Sequence, residues 1–137
     1  MQRPKRVYEI DGLDFATLDE FYDIVGRVLI PGASWGRNLN AFNDILRGGF
    51  GTPDEGFVLL WKNSQLSRER LGYEETIRQL EHRLARCHSD NAQLVNAELR
   101  LAREGVGYTV FEWLTEIIAD HGAHGSQSED GVDLVLD

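Results

Sequence analysis

The sequence predicts a small two-layer α/β domain: a three-stranded parallel sheet with helices, plus a helical insertion before the last helix. Three observations lead there. The chain has 137 residues, the length of about one domain. Short apolar runs alternate with helical stretches in the order β-α-α-β-(helices)-α-β, and strands separated in this way pair in parallel through right-handed crossovers. The run Phe57-Val58-Leu59-Leu60-Trp61 is continuously apolar, the pattern of a central strand buried on both faces.

Each element has a local cause. Val7-Tyr8-Glu9-Ile10 reads as the first strand, and Asp11-Gly12 as the turn that ends it. Thr17-Leu18-Asp19-Glu20 has the spacing of a capping box. The helix behind it gathers Leu18, Phe21, Tyr22, Val25, Val28 and Leu29 on one face, and Pro31-Gly32 stops it. A loop, Ala33-Ser34-Trp35-Gly36-Arg37, leads to Asn38, an N-cap for a shorter helix that turns Leu39, Phe42, Ile45 and Leu46 inward. Gly48-Gly49 and Gly51-Thr52-Pro53 end that helix. From Leu66 to Arg103 two 3-4-3 spacings, Ile77-Leu80-Leu84-Cys87 and Ala92-Val95-Leu99-Ala102, predict a helical pair separated by Ser89-Asp90-Asn91. Gly105-Val106-Gly107 closes the pair. Val110 to Ile118 is the last helix, His121 to Gly131 a polar, mobile loop, and Val132 to Leu136 the last strand. No internal repeat and no second core is visible.

Composition narrows the function. Apolar residues make up 42% and charged residues 27%, as in an ordinary folded domain. No apolar run approaches the ~20 residues of a membrane helix. The basic start, Met1 to Arg6, is followed by Tyr8-Glu9-Ile10-Asp11 and not by an apolar segment, so no secretory leader is expected. The single cysteine, Cys87, has no internal partner, which suits a reducing cytoplasm. The net charge of −9 opposes direct binding of nucleic acid, keeps the chain soluble and permits attraction to a basic partner.

Catalytic patterns are absent. Gly48-Gly49-Phe50-Gly51-Thr52 lacks the lysine of a phosphate loop, and there is no G-x-S-x-G elbow. Cys87 lies between His82 and His88 but occupies a core position of a helix. His121 and His124 frame a glycine turn without the spacing of metal ligands, so both are expected in a solvated loop. Glu74-Glu75 opens a helix, where carboxylates suit the positive end of the dipole. A hydrolytic pairing of Asp44 with the distant His121 finds no support in spacing. No cofactor and no metal is implied. Trp61 reads as core, whereas Trp35 fits both a contact anchor and a lid over the core.

One feature stands out. Asn40, Asn43, Asp44 and Arg47 fall at i, i+3, i+4 and i+7, a single polar stripe on the second helix. An ordinary exposed face favours Glu and Lys; Asn and Asp are poorer helix formers, so something other than helix stability selects them.

From Ile30 to Leu46 the sequence resembles the barstar family of ribonuclease inhibitors. The shared pattern is aromatic-Gly-x-Asn-Leu-x-Ala-apolar-x-Asp-x-Leu, carried by Trp35-Gly36-Arg37-Asn38-Leu39-Asn40-Ala41-Phe42-Asn43-Asp44-Ile45-Leu46 and followed by Gly48. The first strand and turn, the strand closing on Trp61, and the last helix and strand also fit. The resemblance covers about Val7 to Lys62 and Val110 to Leu136, with a longer middle at Leu66 to Gly107. It implies a barstar-like two-layer fold, one domain spanning 1–137 with a helical insertion at about 66–107. The branch it most resembles inhibits guanyl-specific ribonucleases of the Sa type.

The resemblance also implies a mechanism and a site. The second helix and its preceding loop enter the ribonuclease active site, in a 1:1 complex, with Asp44 in the place of the substrate phosphate. The implied contact residues are Ser34, Trp35, Gly36, Asn38, Asn40, Asn43, Asp44, Arg47 and Gly48, with Glu116 on the last helix as a second acidic contact. The family's small inhibitor has an acidic residue where this chain has Asn40, an aromatic where it has Asn43 and a tyrosine near the place of Ser34, and this chain has one extra residue after Pro31. Those departures leave open a second reading, a barstar-like module or immunity protein directed at a different nuclease toxin. Neither reading makes the chain an enzyme.

Overall fold

The structure, a computed structural model, describes residues 4–137; Met1 to Arg3, on which the leader expectation partly rests, lie outside them. Strand β1 (Arg6–Asp11) is followed by helices α1 (Leu18–Leu29) and α2 (Leu39–Arg47) and by strand β2 (Phe57–Lys62). Helices α3 (Ser64–Arg70), α4 (Tyr73–Arg86), α5 (Ala92–Arg103) and α6 (Val110–Asp120) come next, and strand β3 (Val132–Leu136) ends the chain. The sheet order is β1-β2-β3 with both pairings parallel, as the alternation of strands and helices predicts.

The apolar run of β2 does mark the central strand, but not one buried on both faces. Phe57, Leu59 and Trp61 are fully buried, while Val58, Leu60 and Lys62 between them are half-buried. Two neighbouring strands and one helical layer account for this. The second sheet face is uncovered, so Val7 and Val135, in register with Val58 and Leu60, stay 55% and 44% exposed. Under the covered face Trp61 stacks on Phe21 at 5.4 Å and meets Phe111 at 5.2 Å and Phe15 at 5.8 Å between ring centroids. Its indole N–H donates to Ser67 Oγ at 2.9 Å, so the polar atom of this deep aromatic is satisfied.

Other expectations shift in detail. Thr17 caps α1 and accepts from the Glu20 N–H, but Glu20 reaches back to the Ala16 N–H at 2.9 Å, so the box is displaced by one residue. A full capping box stands instead at Thr109 and Glu112, before α6. The stretch 66–103 forms not a pair but three helices, because Leu71-Gly72 breaks the chain after α3. The hairpin of α4 and α5 has a small apolar cluster of its own, Leu80, Val95, Leu99 and Ala102, linked to the main core through Trp113. Cys87 is not inside a helix; it is the C-cap of α4, half-buried at the edge of this second cluster. Among the described residues no helix is long and apolar enough to cross a membrane.

Glu75 does more than favour a helix dipole. Buried near the start of α4, it accepts from the Leu18 N–H at 2.8 Å, from Gln79 at 3.0 Å and from Arg78 at 2.6 and 2.8 Å. Burial alone pushes its carboxyl pKa up, but these donors outweigh burial and hold it below the ordinary value of 4.5. A carboxyl whose pKa is lower in the folded chain stabilises the fold above the unfolded-state value and loses that contribution as pH falls through the folded value. Glu75→Gln is therefore expected to lower stability at neutral pH by about 1–3 kcal/mol. Urea titrations of both proteins are expected to converge as pH is taken below about 4.

Candidate functional site

The polar stripe of α2 is held in place from several sides. Phe42, Ile45 and Leu46 are fully buried in the main core, so the helix is fixed by its apolar face. Asn38 is the N-cap and its Oδ1 accepts from the Ala41 N–H at 2.8 Å. The Asn38 amide also donates to the Gly36 carbonyl at 3.3 Å, and a Cβ on Gly36 would press on Asn38 Nδ2 and Ala41 at 3.2 Å. That close return of the loop onto the cap is the reason for glycine at 36. At the far end Gly48 ends the helix with φ of 101°, a conformation that L side chains rarely adopt.

The loop before the helix is tethered as well. Arg37, itself left-handed at φ 52°, pairs with Asp23 of α1 at 2.7 Å and donates to the Asp19 carbonyl at 3.3 Å. Trp35 is half-buried: its ring meets Tyr22 edge-to-face at 5.6 Å and closes against Gly26, where a Cβ would stand 2.9 Å from the indole nitrogen. The sequence left anchor and lid both open for this tryptophan; in the free chain it is a lid over α1. Burial pushes the Tyr22 phenol pKa up, and the Asp19 carboxylate adds to the effect.

The sequence-derived residues divide into two groups. Ser34, Gly36, Asn38, Asn40, Asp44 and Arg47 are exposed along α2 and the loop before it, with Gly48 half-buried at its C-cap. Asp44 is 55% exposed, and its one ion pair among the described residues, with Arg47, is long at 3.7 Å. Its carboxylate is thus accessible to an incoming cation. Asn43 departs from the stripe: it is half-buried and its Oδ1 lies 2.7 Å from His121 Nε2. Glu116 is exposed on α6, whose buried positions are Val110, Phe111, Leu114 and Ile118, so by the helical repeat it stands on the side of that helix away from the core.

Residues missed by the sequence reading complete the site. His121, expected in a solvated loop, is fully buried, with its Nδ1 2.5 Å from Asp130 Oδ2. Gln127 Oε1 accepts from Arg47 Nε at 2.7 Å, and the Gln127 N–H bonds the Asp120 carbonyl at 2.8 Å. Lys5 donates to the Gly131 carbonyl at 2.8 Å. The segment 121–131 is therefore no free loop but a strap across the C-terminal half of α2.

This geometry, an exposed carboxylate on a short helix set by its cap and core, bears on a comparison with known families. The family model Barstar, described as barstar (barnase inhibitor), matches residues 5–111. The chain belongs to the barstar family. No curated protein matches it. The family match takes in the whole of α2 and its loop and runs on through α3, α4 and α5. It stops at the start of α6, so the strap carrying His121, Gln127 and Asp130 lies beyond it.

Within this barstar-family chain the cap is the cheapest handle on the site. Asn38→Ala removes the acceptor for the Ala41 N–H, a change worth about 1 kcal/mol at an N-cap. Thermal unfolding is expected to show that loss, and hydrogen exchange is expected to speed up in the first turn of α2 before the rest of the helix.

Proposed function

We propose that this chain inhibits a guanyl-specific ribonuclease, of the Sa type, by seating α2 and the loop before it in the enzyme's active site. The exposed, weakly paired carboxylate of Asp44 carries the reading, because in the sequence resemblance it matches the aspartate of the barstar motif. A ribonuclease active site must hold a phosphate anion, so it presents cations. A carboxylate placed among them accepts short, charge-assisted bonds, bidentate ones from arginine. Asp44 is already on the surface, so docking removes little protein that was covering it. Arg47, held back by Gln127, leaves the carboxylate free to change partner.

On this reading one chain blocks one enzyme, needs no cofactor and touches no nucleic acid itself. The net charge of −9 attracts a basic enzyme over long range, and the one free cysteine is compatible with action in the cytoplasm of the producing cell. The uncharged Asn40 and the inward-tied Asn43 also support a second reading, the same docking mode aimed at a different nuclease toxin, since they change what the helix offers its partner.

Titration into a ribonuclease assay, with barnase and an Sa-type enzyme in parallel, tests both. Stoichiometric loss of RNA cleavage by the Sa-type enzyme is expected. Asp44→Ala is expected to raise the inhibition constant by about 30-fold or more, the weight of a lost charge-assisted hydrogen bond. Asn40→Ala is expected to change it several-fold at most. Equal, small effects of the two substitutions would remove Asp44 from the phosphate position.

A further inference from the structure

The contact between Asn43 and His121 has a chemical consequence for the docking face. The His121 ring is fully buried and both its nitrogens face oxygen: Asp130 Oδ2 at Nδ1, 2.5 Å away, and Asn43 Oδ1 at Nε2, 2.7 Å away. A carboxylate oxygen and an amide oxygen are both acceptors, so this geometry suits a ring that donates from both nitrogens. The charged residues beside these three in the chain are Asp44 next to Asn43, Asp120 next to His121 and Glu129 next to Asp130. From β3 the Val132 N–H bonds the His121 carbonyl, and Lys5 binds the adjoining Gly131 carbonyl.

With its oxygen committed inward, the Asn43 amide has only its NH2 group left to offer. Among the described residues that nitrogen has no hydrogen-bond partner, and Thr52 Oγ1 is the one buried side-chain polar atom without one. The Asn43 NH2 therefore reaches solvent, one residue from Asp44. A neutral ring bonded to Asp130 through Nδ1–H would have a bare Nε2; the amide would then turn round and show its oxygen instead.

We propose that Asn43 is a specificity-determining residue: its NH2, aimed outward by the buried His121–Asp130 pair, donates to a carbonyl oxygen of the ribonuclease beside the cations that receive Asp44. This rests on the docking reading above and adds to it a donor in a stripe whose neighbour is an acceptor. A site built to receive an N–H discriminates strongly against a partner lacking one, because its own acceptor is then left unpaired.

Two measurements on the full chain separate the parts of the inference. Nitrogen-15 spectra of the free protein are expected to show both His121 ring nitrogens protonated near neutral pH. A bare Nε2 there would overturn the assignment of the amide. Asn43→Asp keeps an oxygen toward His121 and replaces the outward donor by an acceptor, and Asn96→Asp adds the same charge at an exposed position of α5, outside the implied contact residues. Charge alone strengthens attraction to a basic cleft, so Asn96→Asp is expected to leave inhibition unchanged or tighter. Asn43→Asp is expected to weaken it by about three- to tenfold. Equal effects of the two substitutions would overturn the donor role. A wild-type chain that inhibits no guanyl-specific ribonuclease would overturn the docking reading and the partner half of this inference, while the ring-nitrogen spectrum still decides the orientation of Asn43.

Discussion

The packing of Trp61 is the constraint on which the other elements depend. It stands at the end of the central strand, fully buried, and touches Phe21 of α1, Phe111 of α6 and Phe15 of the turn between β1 and α1. Its indole N–H is held by Ser67 of α3. A single side chain thus sets the distance of three helices from the sheet. Aromatic pairs of this geometry contribute about 0.5–1.5 kcal/mol each beyond the area they bury. Because Phe21 also meets Phe42 edge-to-face at 5.4 Å, the same cluster fixes the inner face of α2 and, by the helical repeat, the direction of its outer stripe. Core and polar stripe are two sides of one nine-residue helix.

How much of this could be read from residue order depends on the range of the interactions. The strands, the caps at Thr17 and Asn38, and the inward set Phe42, Ile45 and Leu46 follow from patterns within a few residues, and they stand as the patterns predict. The parallel sheet followed from alternation alone. The open outer face of β2 did not, since Val58 and Leu60 are apolar whether a second helical layer covers them or not. The break between α3 and α4 rests on the single Gly72, whose N–H bonds the Glu69 carbonyl; a glycine at the cap position offers no side-chain cap signal. Thr109-Val110-Phe111-Glu112 did carry the capping-box spacing and was legible but passed over.

The site was legible on one side only. Asn40, Asp44 and Arg47 are neighbours along α2, so the helical period finds them. His121 bonds Asn43 across 78 positions and Gln127 bonds Arg47 across 80, and nothing local to His121-Gly122-Ala123-His124 separates a buried, doubly bonded histidine from a solvated loop histidine. Polar Gly- and Ser-rich composition signals irregular backbone, not exposure. The strap is irregular because it turns a 3-10 corner at Ser128–Asp130, yet it is tied down by side chains whose partners lie far away in sequence.

These ties explain how α2 tolerates its own composition. Asn40, Asn43 and Asp44 each cost a helix about half a kcal/mol or more relative to alanine, and a nine-residue helix is too short to stand on propensity alone. The Asn38 cap returns about 1 kcal/mol, and each of Phe42, Ile45 and Leu46 contributes about 1.5–3 kcal/mol on burial. Tertiary packing therefore exceeds the deficit severalfold. That surplus frees the outer positions from helix chemistry and leaves them to be chosen by what they present. In an ordinary exposed helix Glu and Lys would be the stable choice at 40, 43 and 44. Here short side chains are the better choice, because an amide or carboxylate one or two bonds from the backbone is held in place by the helix itself. A group that must meet a partner's cation or carbonyl in one fixed geometry loses less rotamer entropy on docking when it starts from a short stem. Asn43 also has a short stem, and a buried ring holds it from a distant part of the chain: His121 Nε2 lies 2.7 Å from its Oδ1.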